Sequence, residues 1–177
     1  TILLPFQNGV YSEEKISQEF GEERTFGAVA QISSFINENQ YVIHKGKLAS
    51  FFVGNMSDIV NKKLLKFCEI SKNSGLDIQY KSNIKEKIWE KFIFLSAYSG
   101  ITTLTKKSIG EIFASTALKD NFVSAMIETY NLSKFFNVKF KVNPVDYWLE
   151  KIKKMPFDMT SSMSVSYTHL RAHETLS

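Results

Sequence analysis

The spacing of hydrophobic positions predicts strands in the first part of the chain. Residues 1–6 form an apolar run typical of a buried strand, and a Gln-Asn-Gly turn follows them. The acidic residues after Ser12 indicate a short helix. Three later segments are rich in strand-forming residues and are separated by turns, so they predict an antiparallel meander. These segments are residues 25–36, 40–44 and 50–54.

The pattern becomes helical after these segments. Ser57 and Asp58 are candidate caps for a helix that ends at Gly75, and a short strand is expected at residues 76–80. Asn83 is positioned to cap the first of four further helices. These helices are expected at residues 84–104, 109–117, 118–136 and 143–154. Strands followed by helices indicate an α+β chain.

Composition limits the class of protein. Of the 177 residues, 44% are hydrophobic and 14% aromatic, which is enough to build a folded core. The net charge of +4 is scattered rather than clustered, and such a weak positive field suits an anionic small molecule about as well as nucleic acid. No apolar run is long enough to span a membrane. Cys68 lies at an apolar helical position, which suits a small core residue and a reducing cytoplasm.

The two ends of the chain depart from the pattern of a complete protein. The sequence opens in mid-strand without a methionine, so we expect that preceding sequence is missing. Residues 164–177 include VSYTHLRAHET, which resembles the translation of a sequencing adapter, and we expect this tail to be non-native. His169 and His173 are spaced like metal ligands on a helix, but no acidic or cysteine partner is fixed nearby. We therefore expect no metal site.

Lys91 is the most informative candidate for chemistry. On a helix it shares a face with Ile84, Ile88, Leu95 and Tyr98, where polar residues give way to an unbroken apolar run. Desolvation at this position would lower the pKa of the amine and favour proton donation near neutral pH. A lysine whose stem lies along the helix while its amine reaches water fits the same spacing.

Two polar segments are further candidates. Asn8 directly follows the first apolar run, and ligands of open parallel sheets bind beyond the carboxyl ends of strands. Its amide can both donate and accept a hydrogen bond, although an ordinary Asn-Gly turn has the same sequence. Residues 160–162 offer consecutive hydroxyls that suit a carboxylate or hydroxyl, a composition that is also common in polar loops.

Together, three segments resemble the ketopantoate reductase (2-dehydropantoate 2-reductase) family in order and spacing. They are LLPFQNGV, WEKFIFLSAYSGITTLTKKSIGEI and MPFDMTSSM, and the resemblance covers roughly residues 1–163. It implies that residues 1–56 are the remnant of an α/β, Rossmann-type NADP-binding domain with a short β-meander. Residues 57–163 would be an all-α C-terminal domain like that of 6-phosphogluconate dehydrogenase. The glycine-rich turn that holds the pyrophosphate in such domains does not occur in the sequence.

The resemblance also implies an activity. The parent enzyme would be a cytoplasmic oxidoreductase of pantothenate biosynthesis that reduces 2-dehydropantoate to pantoate with NADPH, and a homodimer is implied. Our expectation for the partner is a small-molecule 2-oxo acid and no nucleic acid. Lys91 matches the family's general acid. Asn8 matches a residue that lies between the nicotinamide and the substrate, and Ser162 matches a substrate contact. Because the pyrophosphate turn is missing, we expect the isolated chain to be inactive.

The sequence departs from the family pattern at two positions. Leu95 and Ser99 stand where many members carry asparagines, four and eight residues after the lysine. Ser99 remains a candidate substrate contact, whereas Leu95 cannot hydrogen-bond a pantoyl hydroxyl. A reductase of another 2-oxo acid, a 6-phosphogluconate-dehydrogenase-like enzyme and a helical interaction module without chemistry are therefore alternatives. Glu111 matches a family glutamate that we interpret as structural, because it lies near a helix start.

Overall fold

The computed structural model describes residues 1–56 and 60–167 of the chain. It forms two compact units, Thr1–Trp89 and Glu90–Ser177. The elements in chain order are α1 (Ser12–Phe20), β1 (Phe26–Ile36), β2 (Val42–Asn55), α2 (Lys62–Asn73), β3 (Ile78–Lys81), α3 (Ile84–Thr105), α4 (Ile109–Ala114), α5 (Thr116–Phe135) and α6 (Pro144–Ile152). This content confirms the α+β class. The expectations for Ser57, Asp58, His169 and His173 lie outside the described residues.

The sheet of the first unit differs from the expected meander. Strands β1 and β2 pair antiparallel, as predicted, but β2 is a single strand that includes the turn expected at residues 45–47. Ile32 of β1 pairs with Ala49 of β2. Two residues later, Ser34 pairs with His44, which lies five residues before Ala49. Across this stretch β2 has more residues than β1, and the two strands stay paired on either side of it. The sequence pattern that predicted a turn therefore corresponds to a bulge-like irregularity within a strand. The third strand is β3, which pairs parallel to β2.

The prediction of a strand at residues 1–6 was wrong. Leu3 makes an isolated parallel bridge with Thr25. In this bridge Leu3 N–H donates to the Arg24 carbonyl at 2.8 Å, and Phe26 N–H donates to the Leu3 carbonyl at 3.1 Å. Pro5 has no N–H to donate and follows at once, so the ladder cannot continue.

The core of the first unit packs α2 against the sheet. Leu64 and Cys68 of α2 are buried with Val53 of β2 and Ile78 of β3. This position confirms the expectation that Cys68 is a core residue, and burial raises the pKa of its thiol. Helix α2 is capped by Asn61, whose side chain accepts hydrogen bonds from two backbone N–H groups of the first turn.

Gly54 lies where β2 and β3 approach each other closely. It is paired with Lys81, and a Cβ at residue 54 would overlap the Lys81 carbonyl oxygen. Because that atom belongs to the backbone, the strands would have to separate. We therefore expect Gly54→Ala to lower the free energy of unfolding by about 2–4 kcal/mol, measured by urea denaturation. Gly100 of α3 has open space around its Cβ position, so Gly100→Ala should be neutral or stabilise by up to about 1 kcal/mol. Equal losses in both variants would contradict this account.

The second unit is built from helices α4, α5 and α6 around the C-terminal part of α3. Its core is aromatic at the centre: the ring of Phe94 stacks on Tyr98 at 4.9 Å and on Trp148 at 4.2 Å between ring centroids. The Trp148 indole N–H donates to the Glu90 carbonyl at 2.6 Å, which ties α6 to α3. The buried members of this core are Ile93, Phe94, Ala97, Tyr98, Ile109, Ile112, Phe122, Met126, Val145, Trp148 and Ile152.

Side-chain caps explain most helix boundaries of this unit. Ser108 and Glu111 form a capping box at the start of α4, which supports the structural interpretation of Glu111. The hydrogen bond from the Ser108 N–H lowers the pKa of the Glu111 carboxyl. The break between α4 and α5 comes earlier than expected because Ser115 caps α5. Asn143 caps α6 ahead of Pro144, which occupies the first turn, where its missing N–H costs nothing.

Candidate functional site

Lys91 lies near the start of the second unit, in the middle of α3. Its side chain is half-buried, and it follows Glu90, which is buried. Desolvation lowers the pKa of the Lys91 amine, because burial disfavours the charged form. This direction agrees with the one expected from the sequence. A half-buried amine with a lowered pKa is suited to donate a proton to a bound molecule.

Lys91, Leu95 and Ser99 form a continuous strip on α3, which we call the α3 stripe. They are spaced by four residues, and all three are half-buried. Residues four apart are neighbours on a helix surface, and each step advances about 6 Å along the axis. The stripe therefore carries an amine at one end, an aliphatic side chain in the middle and a hydroxyl at the other end.

A buried hydrogen-bond network lies just beyond the Ser99 end of this stripe. Thr102 is fully buried, and its hydroxyl donates to the Tyr98 carbonyl at 2.6 Å. The Thr102 and Ser161 hydroxyl oxygens are also 2.6 Å apart. Because Thr102 uses its single proton on the carbonyl, Ser161 is the donor in this second bond. The network fixes the segment around Ser161 against α3.

The two serines of the Ser-Ser-Met segment have different environments. Ser161 is 2% exposed and accepts a hydrogen bond from the Ser164 N–H at 3.1 Å, which caps a helix at residues 162–167. Ser162 is exposed. The structure thus separates a structural serine from one that is free to meet a ligand. It also places Ser162 in the same unit as Lys91 and Ser99, next to a residue bonded to α3.

The first residues of the predicted tail take part in this arrangement. Ser164 is buried, and its hydroxyl donates to the Thr102 carbonyl at 3.3 Å. Residues 165–167 continue the helix, and the tail from residue 168 onward lies outside the described part. The non-native origin of residues 164–177 stays a prediction.

Asn8 lies in the first unit. It is exposed and occupies a bend after the isolated Leu3 bridge. Gly9 has a φ of 101°, a conformation that glycine adopts at little cost, so the turn expected from the Asn-Gly sequence is present. The ligand-binding role of Asn8 stays a prediction.

Tyr98 shares the face of Lys91, but its hydroxyl is enclosed. Tyr98 is 4% exposed, and its hydroxyl has no hydrogen-bond partner among the described residues. Burial raises its pKa, so the phenol stays protonated. Because its hydroxyl is enclosed, Tyr98 is less suited than Lys91 to donate a proton to a molecule bound at the surface.

Sequence reasoning missed several buried polar residues, and Thr102 and Glu13 are two of them. Thr102 was not singled out, although a hydroxyl on the buried face of an apolar helix is a signal that it needs a partner. Glu13 was expected only to favour the start of α1, yet it is 4% exposed. Its carboxyl accepts a hydrogen bond from the Ser12 hydroxyl at 3.3 Å, and burial raises its pKa. No periodic pattern marks such a residue, because it also bonds to the backbone of Ala28 in β1, which only folding brings close.

The described residues limit other types of site. They contain no cluster of three or more histidine, cysteine or acidic side chains able to hold a metal ion. Among them, no helix is both long enough and apolar enough to cross a membrane. The candidate residues of the second unit are the α3 stripe and Ser162, and the candidate of the first unit is Asn8.

Two family models match the chain. The model described as "Ketopantoate reductase PanE/ApbA C terminal" matches residues 83–175, and "Ketopantoate reductase PanE/ApbA" matches residues 1–58. These matches define the chain as a member of a reductase family with a helical C-terminal domain. The chain belongs to the ketopantoate reductase family.

Individual relatives share part of the sequence or the fold of this chain. The uncharacterized oxidoreductase YkpB of Bacillus subtilis (strain 168) is 25% identical over 117 residues, which cover 66% of this chain and 39% of that protein. The 2-dehydropantoate 2-reductase from Geobacter metallireducens GS-15 shares the fold with a TM-score of 0.86 and 23% identity, over 96% of this chain and 56% of that chain. A complex of D-mandelate dehydrogenase with NADH has a TM-score of 0.80 and 16% identity, over 93% of this chain and 55% of that one. The chain thus spans about half the length of these solved structures.

Proposed function

We propose that this chain is part of an NADPH-dependent reductase of branched 2-oxo acids of the 2-dehydropantoate type. The observation that carries the proposal is the half-buried Lys91 amine with its lowered pKa, at one end of a stripe that leads to Ser99. Membership of the ketopantoate reductase family supports it. In this proposal, residues 1–56 belong to the end of the nucleotide-binding domain, the helical domain lies within residues 57–163, and residues 164–177 are a non-native tail. Helix α2 and strand β3 pack with the sheet of the first unit, so the helical part proper begins at Glu90.

Lys91 acts as the general acid. When bound, the nicotinamide nucleotide supplies the hydride that the ketone carbon of the substrate accepts. The Lys91 ammonium donates a proton to the ketone oxygen as negative charge develops there, and it regains a proton from water. Its positive charge also stabilises that oxygen in the transition state. A lowered pKa makes the ammonium a stronger acid and so favours the transfer.

The other candidates position the reacting molecules. Asn8, on an exposed bend, offers a donor and an acceptor that fit a carboxamide or a ketone. The Ser162 and Ser99 hydroxyls hold the far end of the substrate. Since Ser161 is tied to Thr102 of α3, Ser162 is held by a fixed segment rather than by a free loop. Preorganised contacts of this kind supply orientation.

The experiment that tests this function compares two proteins. One is the isolated 177-residue chain, and the other is a full-length enzyme that extends it to the length of its solved relatives. We expect NADPH oxidation that depends on 2-dehydropantoate in the full-length enzyme. We expect none in the isolated chain, because its sequence lacks the glycine-rich pyrophosphate turn. Turnover by the isolated chain would overturn the assignment of the nucleotide site, and an inactive but folded full-length protein that fails to bind NADPH would favour a non-catalytic helical module.

A second candidate function is the reduction of another 2-oxo acid. It is favoured by Leu95, which presents no hydrogen-bonding group in the middle of the α3 stripe. The similar fold of a D-mandelate dehydrogenase bound to NADH supports this candidate and makes NADH an alternative cofactor. Activity with NADPH and with NADH should therefore be compared for each substrate.

We also propose that the enzyme is a cytoplasmic homodimer. On α5, Leu132 is 47% exposed and Phe135 is 84% exposed, an apolar surface that a second subunit would cover. The free thiol of Cys68 is consistent with a reducing compartment. Sedimentation of the full-length enzyme and of its Phe135→Ser variant tests the dimer.

A further inference from the structure

Leu95 is the residue of the α3 stripe whose chemistry restricts the substrate most. It lies one helical turn after Lys91 and one turn before Ser99, and its side chain packs partly against the core of the second unit. Helical side chains lean towards the N-terminus, so Leu95 leans towards the Lys91 end. A small molecule held at the Lys91 amine therefore has its next few atoms against an aliphatic surface.

The neighbouring polar groups do not change the character of this surface. The Tyr98 hydroxyl, three residues after Leu95, is enclosed and does not contribute to the exposed surface of the stripe. The Ser96 hydroxyl donates to the Ile93 carbonyl at 3.0 Å and lies 2.8 Å from the Thr129 hydroxyl. Thr102 is occupied by Tyr98 and Ser161. A substrate hydroxyl placed against the Leu95 side chain loses water and finds no partner there, because the next hydroxyl of the stripe, on Ser99, lies one helical turn further along α3, and such burial is unfavourable.

We infer that the enzyme selects a 2-oxo acid whose branched side chain carries no hydroxyl, and that Leu95 determines this preference. The inference rests on the proposed function, because it assumes that the 2-oxo group is reduced beside Lys91. Within the proposed function, the inference narrows the substrate class to branched 2-oxo acids without a side-chain hydroxyl. 2-Dehydropantoate remains a substrate, but it is a poorer one than its 4-deoxy analogue, in which hydrogen replaces the hydroxyl.

The matched pair of substrates measures the preference directly. 2-Dehydropantoate and its 4-deoxy analogue differ by one oxygen atom and share the reacting group. An apolar surface discriminates against an added hydroxyl by on the order of tenfold to a hundredfold. We therefore expect kcat/KM of the full-length enzyme to be higher for the 4-deoxy analogue by at least about tenfold.

Substitution of Leu95 tests the cause. Leu95→Asn supplies a donor and an acceptor at nearly the same size, so the preference should fall to unity or reverse towards 2-dehydropantoate. Leu95→Met keeps the surface apolar and should keep the preference. Leu104→Asn makes the same chemical change on α3 at a residue that is 81% exposed, and should leave the ratio unchanged. If Leu95→Asn does not fold, loss of the preference in Leu95→Met, or its absence from the unmodified enzyme, still overturns the inference.

Binding gives a readout that does not depend on turnover. The corresponding 2-hydroxy acids, pantoate and 4-deoxypantoate, can be titrated calorimetrically into the full-length enzyme with NADP+. Tighter binding of 4-deoxypantoate, lost in Leu95→Asn, supports the inference. Equal reduction of both 2-oxo acids, or a preference for 2-dehydropantoate with Leu95 intact, overturns the inference while the proposed function stands. Failure to reduce either 2-oxo acid overturns both.

Discussion

Replacement of Lys91 by alanine should lower kcat of the full-length enzyme on the order of a hundredfold or more. The variant loses the proton donor and the positive charge beside the developing alkoxide, and a hundredfold loss corresponds to about 2.7 kcal/mol of transition-state stabilisation. KM should change less than kcat, because the proton transfer is made in the transition state. Steady-state kinetics with saturating NADPH measure both constants.

Two further lysine variants separate this role from a general effect of charge. Lys87 is also half-buried and lies one turn earlier on α3, where its amine is 5.8 Å from the ring of Phe52. Lys87→Ala removes the same chemical group and should leave kcat nearly unchanged. Lys91→Arg keeps a positive charge but replaces the donor by a much weaker acid, so most of the loss should remain. A near-normal rate in Lys91→Ala would remove Lys91 from catalysis and leave it as a lysine of the helix rim.

Replacement of Phe122 by alanine should lower the free energy of unfolding of the second unit by about 3–5 kcal/mol. Phe122 is fully buried in α5, and its ring lies 5.3 Å from Phe113 and 6.2 Å from Phe94, between centroids. Its truncation would leave a cavity among side chains that support the helix carrying Lys91. Urea denaturation followed by circular dichroism measures the loss.

The matched control is in the same unit, on α3. Leu104 is 81% exposed, so Leu104→Ala removes an apolar side chain from the surface and should change stability by less than about 1 kcal/mol. If the two variants lost equal stability, the assignment of Phe122 to the centre of the core would be wrong.

The sequence predicted the helical part of the fold well because local signals determined it. The last helix expected, at residues 143–154, is α6, Pro144–Ile152. The long helix expected at residues 84–104 is α3, Ile84–Thr105. Capping and apolar spacing act over a few residues, so they can be read from the sequence alone.

The strands were predicted less well because their partners determine them. A glycine between two lysines suggested a turn at residues 45–47, yet pairing with β1 draws the segment into one long strand. Strand β3 pairs parallel to β2 after the chain has passed through α2, and no short-range sequence pattern predicts this pairing. The hydrogen bond between Thr102 and Ser161 could not be predicted for the same reason, because the two residues are 59 positions apart in the sequence. Lys91 could be recognised as a candidate from the sequence because the change from polar to apolar neighbours occurs along a single helix.

The pH dependence of kcat/KM in the full-length enzyme tests the role of Lys91 most directly. Only the ammonium form donates a proton, so the rate of reduction should fall as the pH rises through the pKa of Lys91. Because burial lowers that pKa, the fall should begin below the ordinary lysine value of about 10.4. It should be absent from the residual activity of Lys91→Met. A rate that stays constant up to the ordinary lysine range, or the same fall in the variant, would contradict proton donation by Lys91.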